Sequence, residues 1–110
     1  MKKKNIFQNQ SQEILTLFEM AKDRSKVMCV PMDYAKKDHM VLFCNGNGKI
    51  IRKPFSIKNS LAGKHYLIDQ VTKSCRHHGI NLQHVLFGGE DCGSYADNFI
   101  TALRSDKWLV

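Results

Sequence analysis

The stretch HMVLFCNGNGKIIRKPFSI, residues 39–57, constrains the fold more than any other part of the chain. Two runs rich in β-branched and aromatic residues, about 39–45 and 48–57, flank a doubled Asn-Gly. Asn-Gly tolerates the positive φ angles of a tight hairpin, so the runs are expected to fold back as antiparallel strands. Just upstream, Val27–Met32 is short, continuous and apolar, the pattern of a strand buried on both faces. Pro31 cannot donate to a ladder, which predicts a strand end or an irregularity there. Together the three runs read as an antiparallel meander whose first strand ends on Asp33.

Helical and extended patterns alternate after the meander. Leu67, Ile68, Val71 and Cys75 recur at helical spacing, with Asn59 or Ser60 as the cap and Gly79 as the stop. HVLFGG, residues 84–89, reads as a fourth strand. Ser94 is expected to cap a second helix, in which Ala96, Phe99, Ile100 and Leu103 share one face. Trp108-Leu109-Val110 begins another apolar run. Upstream, Ile14, Leu17, Phe18 and Ala21 predict a short amphipathic helix capped by Ser11, with DRSK (23–26) leading out of it.

The expected fold class is therefore α/β with a mixed sheet, in the order β-β-β-α-β-α-β, preceded by a short N-terminal helix. Residues 1–25 form a basic tail and that helix, and residues 26–110 form the domain. A chain of 110 residues can bury a core without disulfide or metal staples. No internal repeat interrupts it.

No apolar run approaches the length of a membrane span, and Met-Lys-Lys-Lys is followed by polar residues rather than a secretory apolar core. The expectation is a cytoplasmic protein with no membrane partner. Cys29, Cys44, Cys75 and Cys92 lie far apart with no C-x-x-C pair, and in a reducing compartment they read as small buried apolar residues. CRHH, residues 75–78, reads as the basic last turn of a helix rather than a ligand set. The net charge of +7 favours a polyanionic partner such as nucleic acid, or else a solvated basic surface, and composition does not separate the two.

The acids carry the chemistry. An open α/β sheet binds ligands beyond the carboxyl ends of its strands, where strand order reverses. A right-handed crossover through the first long helix would lay strand four parallel to strand one, on the side away from the meander. Asp33 and Glu90 would then end adjacent parallel strands. Two facing carboxylates repel unless a cation neutralises them. Mg²⁺ takes oxygen ligands and keeps positions open for phosphate. Paired ions can clamp the attacking and leaving oxygens of a phosphodiester. Asp91 is the rival ligand, although a helix N-terminus would favour its charge equally well. A solvated loop acid is the plain alternative for Glu90.

VPMDYAKKDHMVLFCNGNGKIIRKPFSIKNSLAG followed by VLFGGEDCGSYADNF resembles the opening of the DEDD transposases of the insertion sequence 110 family. That family includes pilin-gene invertases and bridge-RNA-guided recombinases. The shared features are Asp33, Lys36, His39, the hairpin, the Pro-Phe of strand three, the N-S-x-x-G helix start, and Glu90 with Gly93 and Tyr95. The likeness spans about residues 27–110.

The resemblance implies a RuvC-like, ribonuclease-H-type fold. It also implies that Asp33 and Glu90 are two of four acids holding Mg²⁺ (or Mn²⁺) for cutting and joining DNA. In the family two later aspartates and a serine-bearing domain complete the machinery, and a structured guide RNA selects DNA in some members. Asp97 and Asp106 do not fall where those aspartates lie, so the chain reads as a truncated transposase, inactive alone. Lys36, Lys37 and Tyr95 are the candidate nucleic-acid contacts; solvation of a turn and structural packing are their plainer roles. His39 is expected to pack or hydrogen-bond at a strand edge. Expected partners are DNA, a guide RNA, and a second copy or a full-length transposase.

Three other readings stand beside this one. A RuvC-type nuclease or resolvase shares the fold and the metal logic. A non-catalytic remnant would bind DNA or RNA, or pair with a transposase, without cutting. An actin-like ATPase needs a glycine- and hydroxyl-rich turn after strand one, and DYAKKDH has neither apart from the Tyr34 phenol.

Overall fold

Four strands and three helices account for most of the chain in the computed structural model, which describes residues 12, 14–89 and 97–110. A helix over 14–21, α1, leads through a short 3₁₀ turn at Arg24–Lys26 into strand β1, Met28–Asp33. Strands β2 (Asp38–Asn45) and β3 (Ile50–Lys58) follow, then helix α2 (Leu61–His78), strand β4 (Val85–Gly88) and helix α3 (Asp97–Ser105). The sheet order is β3-β2-β1-β4, with β1 antiparallel to β2 and parallel to β4. It is a mixed α/β sheet. The expected element order holds through α3, and the beginnings of a fifth strand appear as a single parallel bridge, Leu86 to Leu109.

Local chemistry explains the connections. In the β2–β3 turn the Asn45 carboxamide oxygen accepts from the backbone N–H of Asn47 and of Lys49, and Gly48 takes φ 84°. Ser60, rather than Asn59, caps α2 by accepting from the Gly63 N–H. Gly79 ends the helix in the left-handed region at φ 66°, as its sequence position predicts. The basic last turn Arg76-His77-His78 is in place, and Lys26 Nζ donates to the His78 carbonyl. Ser11, Ser94 and Ala96, expected at two helix starts, lie outside the described residues.

The core lies on one face of the sheet. Met28, Val30 and Met32 of β1, His39, Val41 and Phe43 of β2, and Val85 and Phe87 of β4 are buried there. Leu67, Val71 and Cys75 of α2 and Phe99 and Leu103 of α3 cover that face. This corrects the expectation that β1 is buried on both faces. Its burial alternates strictly, with Pro31 and Asp33 exposed and Cys29 half-buried on the opposite side. Both helices after the meander pack on the same side, while on the other Ile14 of α1 shares a concavity with Cys29, Pro31, Leu86 and Leu109.

Pro31 is not a strand end: Cys29↔Cys44 and Met32↔Val41 flank it in one unbroken register, with a gap in the β1–β2 ladder between them. The missing N–H is the physical cause of that gap. The reading of the cysteines as buried residues holds for Cys75. It is corrected for Cys29 and Cys44, which are half-buried and opposed across β1 and β2. Cys92 lies outside the described residues. No helix among the described residues is long and apolar enough to cross a membrane.

Candidate site at the carboxyl ends of β1 and β4

Asp33 is the last residue of β1, exposed, on the face of the sheet opposite α2 and α3. A shallow concavity of about 300 Å³ lies beside it, walled by Pro31, Met40, Leu42, Pro54 and Gly89. Apart from Asp33 itself its wall is almost wholly apolar.

The parallel β1–β4 ladder pairs Pro31 with Gly88, bringing the two carboxyl ends together. Gly89 continues the approach. A Cβ built on it would lie 1.9 Å from the Met32 carbonyl oxygen and 3.1 Å from the Tyr34 ring. Only glycine lets the chain pass this close to the residue preceding Asp33. Glu90, the second expected acid, is bonded to Gly89 but lies outside the described residues, as does Tyr95. Among the described residues no three His, Cys, Asp or Glu side chains converge into a metal-binding group. The Asp33 carboxylate is a hard oxygen donor of the type Mg²⁺ prefers, and it is a single such group at this end of the described β1.

Lys36 and Lys37 are exposed in the turn between β1 and β2, one strand end away from Asp33. The turn is clamped from below. The Asn59 carboxamide donates to the carbonyls of Ala35 (3.4 Å) and Lys36 (3.2 Å), and its backbone N–H donates to Lys37 (2.8 Å). Sequence reasoning weighed Asn59 only as a helix cap. Its partners lie more than twenty residues away, so no local pattern marks its role.

His39 is fully buried in a central strand rather than at an edge. Its Nδ1 accepts from the Ala35 N–H at 3.0 Å, and its ring meets Tyr34 and Phe99 edge-on, at centroid distances of 5.3 and 4.8 Å. It therefore braces the same turn from the core side. Asp106, set aside as a site acid, pairs with the buried Lys64 ammonium of α2 at 2.5 Å and ties α3 to α2. Sequence reasoning missed Lys64, although it falls at helical spacing with Leu67 and Val71 on the buried face.

Removal of the Asn59 carboxamide should loosen this turn selectively. Asn59→Ala is expected to cost about 1 kcal/mol and to speed amide exchange over residues 35–38 while α2 stays protected. Uniform exchange in the two proteins would show that the clamp carries no weight.

No protein-family model matches the chain, and no curated protein matches it.

Proposed function

We propose that the chain forms the N-terminal part of a RuvC-like, ribonuclease-H-type domain of a DEDD transposase of the insertion sequence 110 family. In this reading Asp33 and Glu90 hold Mg²⁺ or Mn²⁺, and Lys36, Lys37 and Tyr95 meet DNA or a guide RNA. The observation that carries it is the sheet order β3-β2-β1-β4 with β4 parallel to β1. That order is the one the resemblance implies for a meander followed by a crossover. It supports the reading further that Gly89 presses against the backbone of Met32, because each is one bond short of a proposed ligand, Glu90 and Asp33. When bound, the metal would supply charge neutralisation at a scissile phosphate. The chain's own acids would orient it, and the two lysines would hold the phosphate backbone without reading sequence.

The test pairs two measurements on the purified chain. Mn²⁺ titration should broaden NMR resonances around Asp33, and Asp33→Asn with Glu90→Gln should weaken that binding at least roughly tenfold. DNA binding should fall steeply with salt, and removing Lys36 and Lys37 together should lower the salt slope by roughly 2. Strand cleavage is not expected from two of the family's four acids. Broadening that ignores the double substitution would sink the metal assignment. An unchanged salt slope would sink the lysine contacts, leaving a solvated basic surface.

A further inference from the structure

Cys29 and Cys44 are directly opposed residues of the antiparallel β1–β2 ladder. Opposed residues project to the same face, with Cα atoms roughly 4.5–5.5 Å apart. A disulfide spans roughly 4.4–6.8 Å between Cα atoms, a range that directly opposed strand positions fall within. The two thiols face each other across the ladder and act on each other's ionisation. Both residues are half-buried, on the face of the sheet opposite α2 and α3, whereas Cys75 is buried in the core.

We propose that Cys29 and Cys44 form a reversible cross-strand disulfide by exchange with low-molecular-weight disulfides such as oxidised glutathione. One cysteine loses its proton to solvent, and its thiolate attacks a sulfur of the small disulfide, expelling one small thiolate. The opposed cysteine, deprotonated in turn, attacks the resulting mixed disulfide and expels the second. The two cysteines are oxidised by two electrons, and the small disulfide is reduced to two thiols. The link joins the N-terminal half of β1 to the C-terminal half of β2, at the far end of β1 from Asp33. It depends on neither the metal nor the nucleic-acid reading.

Burial raises both thiols above their ordinary value, which keeps the thiolate fraction small and the exchange slow near neutrality. At Cys44 the neighbouring Cys29 thiol partly offsets burial, and at Cys29 the nearby Arg24 charge does so. Cys75 is pushed up to about 11 by burial alone and serves as an internal control that stays reduced.

The experiment incubates the folded chain with oxidised glutathione, quenches with acid, and maps peptides without reduction. The expected product has lost two hydrogens per chain, carries one linked peptide joining Cys29 to Cys44, and is reversed by dithiothreitol. Cys44→Ser should instead leave a persistent glutathione adduct on Cys29 and no internal link. Four results would overturn the proposal: a link involving Cys75 or Cys92, disulfide-bonded dimers in place of the internal link, or stable glutathione adducts on both cysteines of the unsubstituted chain. The fourth is a folded chain left fully reduced under conditions that oxidise it when unfolded.

Discussion

Gly63→Ala is expected to destabilise the chain by about 3 kcal/mol or more, at the upper end of what overpacking costs. An added Cβ would sit 1.9 Å from the Lys58 carbonyl oxygen and 2.8 Å from its carbon, so backbone, not a flexible side-chain tip, must move. Neither side can yield cheaply. The end of β3 is held through Asn59, which donates to the β1–β2 turn, and the first turn of α2 is held by the Ser60 hydroxyl. Moving α2 outward would also break the Gly63 N–H bond to that hydroxyl, a cap worth about 1 kcal/mol by itself. Two other glycines calibrate the effect. Gly88→Ala meets nothing within 4 Å and should be nearly neutral, while Gly48→Ala is also open but sits at φ 84°. The latter should lose about 1 kcal/mol to backbone strain alone. Urea denaturation of the three variants checks the order; a Gly63→Ala protein as stable as Gly88→Ala would refute the close approach of α2 to β3.

Phe43→Ala should cost about 3–5 kcal/mol, the range for emptying a buried aromatic site. Phe43 has no exposed surface, lies in a central strand, and meets Phe55 of β3 edge-on at 5.4 Å. Arg52 lies over Phe55 at 3.8 Å and donates to the Gln70 side chain, so the aromatic pair also anchors the contact between β3 and α2. Because a domain of this size holds only about 5–15 kcal/mol in total, this one substitution would remove a large part of its stability. Phe43→Leu, which keeps most of the volume, should lose far less. Equal midpoints for the two variants would mean that the site collapses around alanine and that the core is looser than its burial indicates.

The N-S-x-x-G element on which the family resemblance partly rests has a structural account in this chain. Asn59 clamps the turn carrying Lys36 and Lys37, Ser60 caps α2, and Gly63 admits the end of β3. Those roles would serve any protein needing this junction. The proposed metal chemistry therefore rests on Asp33, on Glu90 and on the parallel pairing of β1 with β4, not on that motif.

Local interactions made much of the fold legible. Asn45 and Gly48 specify the β2–β3 hairpin through bonds within five residues, and Ser60 and Gly79 bound α2 by capping chemistry that each residue carries with it. Apolar spacing placed Leu67, Val71, Phe99 and Leu103 on buried faces, as found. The sheet order followed from connectivity, because a meander and one crossover leave few arrangements.

What the sequence could not express is which side of the sheet the helices would share. A short apolar run such as Val27–Met32 reads the same whether one or both of its faces are covered. Packing of α2 and α3 on one face decided this, exposing Asp33 and half-exposing Cys29. Long-range register did the rest. It set Cys29 against Cys44, Gly89 against Met32 and Lys64 against Asp106, pairings between residues that share no local pattern. Such contacts exist only once distant segments pack, so periodicity and capping, which act within a few residues, carry no trace of them.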